Sequence, residues 1–162
     1  MGEPSYTLIT SRGAFFDALR QAFRNLPSQG GRQVFLSDLH FADWPLSEQE
    51  VVDALTQWAQ PYRSLTLLAS HYDDMARHHA RWVAWRQRWT HVVSCRAADS
   101  EQVGDVPTQL LIPGQQVIRL VDRPSYRGSV STAETDLVQA QEALDAVLQR
   151  SSDAFPATTL GL

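Results

Sequence analysis

Two apolar runs in this chain end on side chains that can do chemistry. Residues 33–37 lead into Asp38 and His40, and residues 64–70 lead into His71, Tyr72, Asp73 and Asp74. Histidines and carboxylates brought together can ligate a divalent metal or move a proton as a general acid–base pair. Asp38, His40, His71 and Asp73 are therefore the candidate residues of a metal-assisted or acid–base hydrolase. The same side chains also have structural uses. Asp73 and Asp74 suit the N-terminus of a following helix, Asp38 can satisfy nearby backbone N–H groups, and His71 fits a turn. The spacing matches no strict metal motif, so no metal and no cofactor is assigned.

Other reactive types are more constrained. Cys95 is the only cysteine, which excludes an intramolecular disulfide, and its place at the end of an apolar run reads as buried and structural. Ser129 lacks the G-x-S-x-G setting of a hydrolase nucleophile. His78 and His79 would point about 100° apart on a helix, so they cannot share one ion; one should pack inward and the other face out. Trp82, Trp85 and Trp89 form a stripe that suits a core or an oligomer interface. Arg77, Arg81 and Arg88, with Arg119, Arg123 and Arg127, could line an anion site, since guanidinium matches phosphate, or simply form solvated faces. All 14 basic residues are arginine. That excludes a Schiff-base lysine, a Walker-A lysine and a Ser-Lys dyad, and the codon bias behind it suggests a GC-rich bacterium.

The elements that must position these groups follow from the hydrophobic pattern. Residues 6–10 read as a strand. A helix over 13–26 carries Phe15, Leu19, Ala22, Phe23 and Leu26 at helical spacing, and 27–31 reads as a breaker. A strand over 33–39 is followed by a capping box, Ser47 and Glu50, that opens a helix with Val51, Val52, Leu55, Trp58 and Ala59 on its buried face; Pro61 should stop it. A third strand over 64–70, a helix over 72–89 with Met75 and His78 on the tryptophan stripe, and a strand over 91–96 come next, then a loop over 97–108. Short strands over 109–112, 116–121 and 126–130 precede a last helix, which a second capping box, Ser131 and Glu134, should open. Its stripe is Leu137, Ala140, Leu144, Val147 and Leu148. Alternating strands and helices imply an α/β fold, a mostly parallel sheet with mixed late strands flanked by helices.

The segment 115–131 resembles the phospholipase-D-like superfamily. That family carries H-x-K-x-x-x-x-D, followed by Gly-Ser and often an asparagine. Here the register reads Gln115, Val117 and Asp122, then Gly128-Ser129-Val130-Ser131. The resemblance implies one half of a phospholipase-D-like fold, and a homodimer, since single-motif members pair their halves by dimerising. It also implies lost chemistry. The family's nucleophilic histidine is Gln115 here, and its phosphate-binding lysine is Val117. What remains is a degenerate site in which Gln115, Arg119, Asp122 and Ser129 are left to hold a phosphate-bearing ligand.

The bulk numbers set the outer limits. A chain of 162 residues, 43% hydrophobic and 20% charged, suits one domain, taken as 1–150, with a loosely ordered tail over 151–162. No apolar run approaches the ~20 residues that span a bilayer, and the first residues have no signal-peptide pattern, so a cytoplasmic location is expected. A net charge of −4 disfavours nucleic acid as a partner. The combined expectation is a binding or interaction module rather than an enzyme, with the strand-end hydrolase as the alternative.

Overall fold

The structure, a computed structural model, describes residues 3–60 and 62–155. In chain order the elements are β1 (Tyr6–Ile9), α1 (Arg12–Gln29), β2 (Gln33–Ser37), α2 (Gln49–Trp58), β3 (Ser64–Ala69), α3 (Asp73–His78), α4 (Ala80–Arg88) and β4 (Val93–Ala97). A 3-10 helix (Ser100–Asp105), β5 (Thr108–Ile112), β6 (Gln116–Asp122), β7 (Arg127–Ser131), α5 (Glu134–Leu148) and β8 (Ser152–Asp153) complete it. The strands form one open sheet in the order β1-β7-β6-β5-β2-β3-β4-β8. The β2, β3 and β4 strands run parallel, while β5, β6, β7 and β1 pair antiparallel in turn and β8 lies antiparallel on β4.

The alternation of side chains along each strand feeds two cores. On one face Leu36, Leu67, Cys95, Leu110 and Ile118 pack under α1–α4, with Phe15, Leu19 and Phe23 of α1 and Leu55 and Trp58 of α2. On the other face Leu68, Leu111 and Val117 pack under Leu137, Ala140, Leu144 and Val147 of α5. The helical stripes of α1, α2 and α5 are thus buried where spacing places them. Among the described residues no helix is long and apolar enough to cross a membrane.

Several local expectations are corrected. Pro27 does not break the first helix but lies in its last turn, which the Gly30 N–H closes onto the Leu26 carbonyl at 2.7 Å. Neither capping box forms. The Ser47 hydroxyl accepts the Trp82 N–H at 3.4 Å, so it is drawn to α4 and Glu48 becomes the N-cap of α2. Ser131 accepts the Ala133 N–H at 3.1 Å and donates to Asp136 at 2.6 Å, which leaves Ala133 at the cap of α5. The predicted helix over 72–89 is two helices that meet at His79, whose backbone leaves helical geometry. Its inward histidine is therefore His79, not His78. The loop over 97–108 contains the 3-10 helix. In the tail, expected to be loosely ordered, Ser152–Asp153 pair as β8 and Phe155 stacks on Tyr72 with ring centres 5.3 Å apart. Pro61 and residues 156–162 lie outside the described residues.

Candidate functional site

The long connection after β2 is organised by Asp38. One carboxylate oxygen accepts the Phe41 N–H at 2.9 Å and the His40 N–H at 3.3 Å. The other accepts the Thr108 hydroxyl at 2.7 Å, and Thr108 in turn accepts Arg123 Nε at 2.6 Å. Arg123 also donates to the Val106 carbonyl. This local wrapping places Phe41 at φ +59°, fully buried, with its carbonyl accepting from His79 Nε2 at 2.8 Å. Both Asp38 oxygens are spent on folding the loop and joining it to the start of β5.

His40 and His71 meet at this rim with ring centres 6.3 Å apart. His40 Nδ1 accepts the Ala42 N–H at 3.0 Å and stands 3.9 Å from Asp38. An Nδ1 that accepts carries no proton, so the neutral ring is protonated on Nε2, and Nε2 alone is left for a ligand. His71 Nδ1 lies 3.7 Å from Asp73, and both side chains are open to solvent. The strand ends thus bring all four predicted residues to one region. Among the described residues, though, no three histidine, cysteine or acidic side chains converge as metal ligands.

Beside this group is a cleft of about 160 Å³. Phe15, Phe16, Trp44 and Tyr126 form its aromatic walls, and Asp38, His40 and Arg123 supply polar groups. Arg12 caps the rim, 4.9 Å above the Phe16 ring and 3.6 Å from Asp43. The cleft can hold a few atoms of ligand against an aromatic surface, with His40 Nε2 as a donor. Its aromatic wall was not foreseen, because α1, the loop after β2 and the β6–β7 turn contribute to it from distant stretches of sequence.

The motif-like segment lends Leu120, Arg123 and Tyr126 to this cleft, but its motif positions do not line it. Gln115 sits in the turn before β6, its N–H on the Ile112 carbonyl at 2.9 Å, beside a cleft of only about 10 Å³, room for at most one water. Asp122 sits at the far end of the strand, roughly 20 Å away by strand rise, where it accepts the Ser125 hydroxyl within its own turn. The two do not share a site. Cross-strand pairing sets Val117 against Ser131 and Arg119 against Ser129. Val117 is fully buried under α5. Arg119 donates to Asp136 at 3.3 Å, and Asp136 is also held by Ser131. Ser129 is buried in the same row. The remaining arginines do not converge either: Arg81 donates to the Ser47 carbonyl at 2.7 Å, and Arg123 is held at Thr108.

One charged residue escaped the sequence reading. Arg86 is buried, and its Nε and Nη1 have no hydrogen-bond partner among the described residues. The signal was present: Arg86 follows Trp82 by four positions and precedes Trp89 by three, which puts it on the inward stripe.

No family model and no curated protein sequence matches the chain. Solved structures do. TrmBL2, an archaeal chromatin protein described with a novel mode of DNA binding, superposes with a TM-score of 0.62 at 10% identity over 93% of this chain. This chain spans 55% of that one. NucT from Helicobacter pylori gives 0.59 at 9% identity, covering 94% of this chain and all of that one. Nuc from Salmonella typhimurium, a phospholipase D family member, gives 0.57 at 8% identity over 94% of this chain and 99% of its own. The chain therefore has a phospholipase-D-like fold, a mixed sheet flanked by helices.

Proposed function

We propose that this chain is a non-catalytic phospholipase-D-like domain that works as a binding module, and that it does so as a homodimer. The observation that carries the reading is the pair of cross-strand rows on the α5 face of the sheet. One row runs Tyr6–Ser131–Val117, the other Leu8–Ser129–Arg119. Where phosphoryl transfer by the family's route would need a nucleophile and a cation, the rows supply Val117, sealed under α5, and Arg119, already paired with Asp136. Gln115 offers an amide, a poor nucleophile, beside a cleft too small for a phosphate diester.

At the outer end of the same rows, Tyr6 and Leu8 are 60% and 67% exposed on β1, the edge strand. An edge strand that shows apolar side chains is unfavourable in isolation and favours association. A second copy placed there would continue the two sets of rows across the edge, and the resemblance itself implies that single-motif members pair by dimerising. The net charge of −4 speaks against nucleic acid as the ligand; the DNA binding described for TrmBL2 belongs to that protein. Sedimentation equilibrium tests the association. The expected result is twice the chain mass for the parent and the single-chain mass for Leu8→Asp, with unchanged far-UV circular dichroism. A monomeric parent, or a Leu8→Asp variant that stays dimeric, contradicts the reading.

The strand-end hydrolase is the second reading, and the convergence of His40 and His71 at one rim is what favours it. Against it stands the full use of both Asp38 oxygens by the loop and Thr108.

A further inference from the structure

At the sheet edge opposite β1, β8 pairs only with Arg96 and Ala97 of β4. Among the described residues, the rest of that strand's outer edge, Val93 to Cys95, is bridged by one bond, from the Ala154 N–H to the Cys95 carbonyl at 3.0 Å. The edge is left open as a groove of about 480 Å³, lined by Arg86 of α4 with Val93, Ser94, Cys95, Asp153 and Ala154. We propose that this groove binds a small ligand bearing one carboxylate or phosphate group, and that Arg86 holds that group.

The argument starts from charge. Arg86 lines the groove and is only 7% exposed, and among the described residues its Nε and Nη1 are buried without a hydrogen-bond partner. A guanidinium cannot shed its proton, and a buried charge without a partner is strongly unfavourable. No group of the described groove supplies the missing anion. Asp153 is taken by Arg96, 2.5 Å away, and turned to solvent. Burial pushes the Cys95 thiol up to about 11, and the charge of Arg86 and its hydrogen bond to the thiol offset this only in part; burial likewise raises the nearby Tyr72 phenol. Both are neutral at pH 7, so neither balances Arg86. A planar guanidinium presents paired N–H donors that match the oxygens of a carboxylate or phosphate. The Val93 and Ala154 side chains give the rest of the ligand an apolar wall, and the volume is that of an ordinary small-molecule site rather than of a bare ion. The groove lies at the far edge from the proposed dimer contact, so this inference stands or falls separately from it.

Thermal unfolding of the full chain at fixed ionic strength, titrated with inorganic phosphate or with acetate against chloride, is the test. A ligand that binds only the folded chain raises Tm with its concentration. The expected result is a saturable rise with at least one of the two anions, half-complete on the order of 1 mM for so small a probe, and none with chloride. The anion that works identifies the head group. The rise should vanish in Arg86→Met, which removes the charge but keeps the bulk. It should also vanish in Ser94→Trp, which fills the groove and leaves Arg86 in place. A parent that responds to neither anion, or a rise that persists in either variant, overturns the proposal.

Discussion

His79 shows how single residues tie this fold to pH. Its Nε2 donates to the Phe41 carbonyl at 2.8 Å, while its Nδ1 is buried with no partner among the described residues. A second proton would have nowhere to bond. Burial pushes its pKa below the ordinary histidine value, and the bond to Phe41 offsets this only in part. The sign follows directly. As the pH falls through about 6.5, the unfolded chain takes up a proton that the folded chain refuses, so the folded state loses stability. Urea midpoints should therefore fall between pH 7.5 and 5.5. In His79→Gln, whose amide can still donate to Phe41, they should fall less; equal losses in parent and variant would remove His79 from the account. At this scale the sequence was half informative. Adjacent histidines had to diverge, and they do. Which one turned inward depended on a helix break that no local signal marks. Arg86, by contrast, stood in plain view on the tryptophan stripe, and was passed over because arginine at a core position is unusual.

At the scale of elements, apolar periodicity was enough to place α1, α2, α5 and strands β1 to β7, because burial of a stripe dominates helix formation; it merged α3 and α4 into one helix and missed β8. The capping signals failed for a different reason. Ser47 and Ser131 each found a better partner from elsewhere in the fold, Trp82 and Asp136, so tertiary contacts overrode a local preference. The Gly-Ser pair of the motif-like segment also acquires a structural meaning. A Cβ on Gly128 would overlap the Arg119 carbonyl, since β6 and β7 approach closely just beside the irregular pairing between Leu120 and Asp122. Gly128→Ala should then destabilise the chain by about 2 kcal/mol or more, through forced displacement of β6. Chemical denaturation measures this, and a change below about 0.5 kcal/mol would show that the two strands yield more readily than their packing implies.

At the scale of the whole molecule, the lysine-free composition and the segment around Asp122 point the same way. The fold is phospholipase-D-like, and the positions where the resembled motif has a histidine and a lysine hold Gln115, in the turn before β6, and Val117, on β6. The α/β class was legible from the alternation of strands and helices; the strand order was not, since β1 leaves the parallel strands β2, β3 and β4 to pair antiparallel with β7 at the sheet edge. Nor was the division of the candidate residues. Asp38, His40, His71 and Asp73 gather at one end of the sheet. Arg119 and Ser129 lie level with Ser37 at that same end, in one cross-strand row on the α5 face, whereas Gln115 lies at the opposite end because β6 runs the length of the sheet. A sheet can keep its order while the side chains on one strand lose their reaction, so fold and activity are separate claims. The direct measurement is hydrolysis of a generic phosphodiester, bis(p-nitrophenyl) phosphate, by the purified chain. The expected rate is that of buffer alone, for the parent and for Gln115→Ala alike. Robust turnover that disappears in Gln115→Ala would contradict the account.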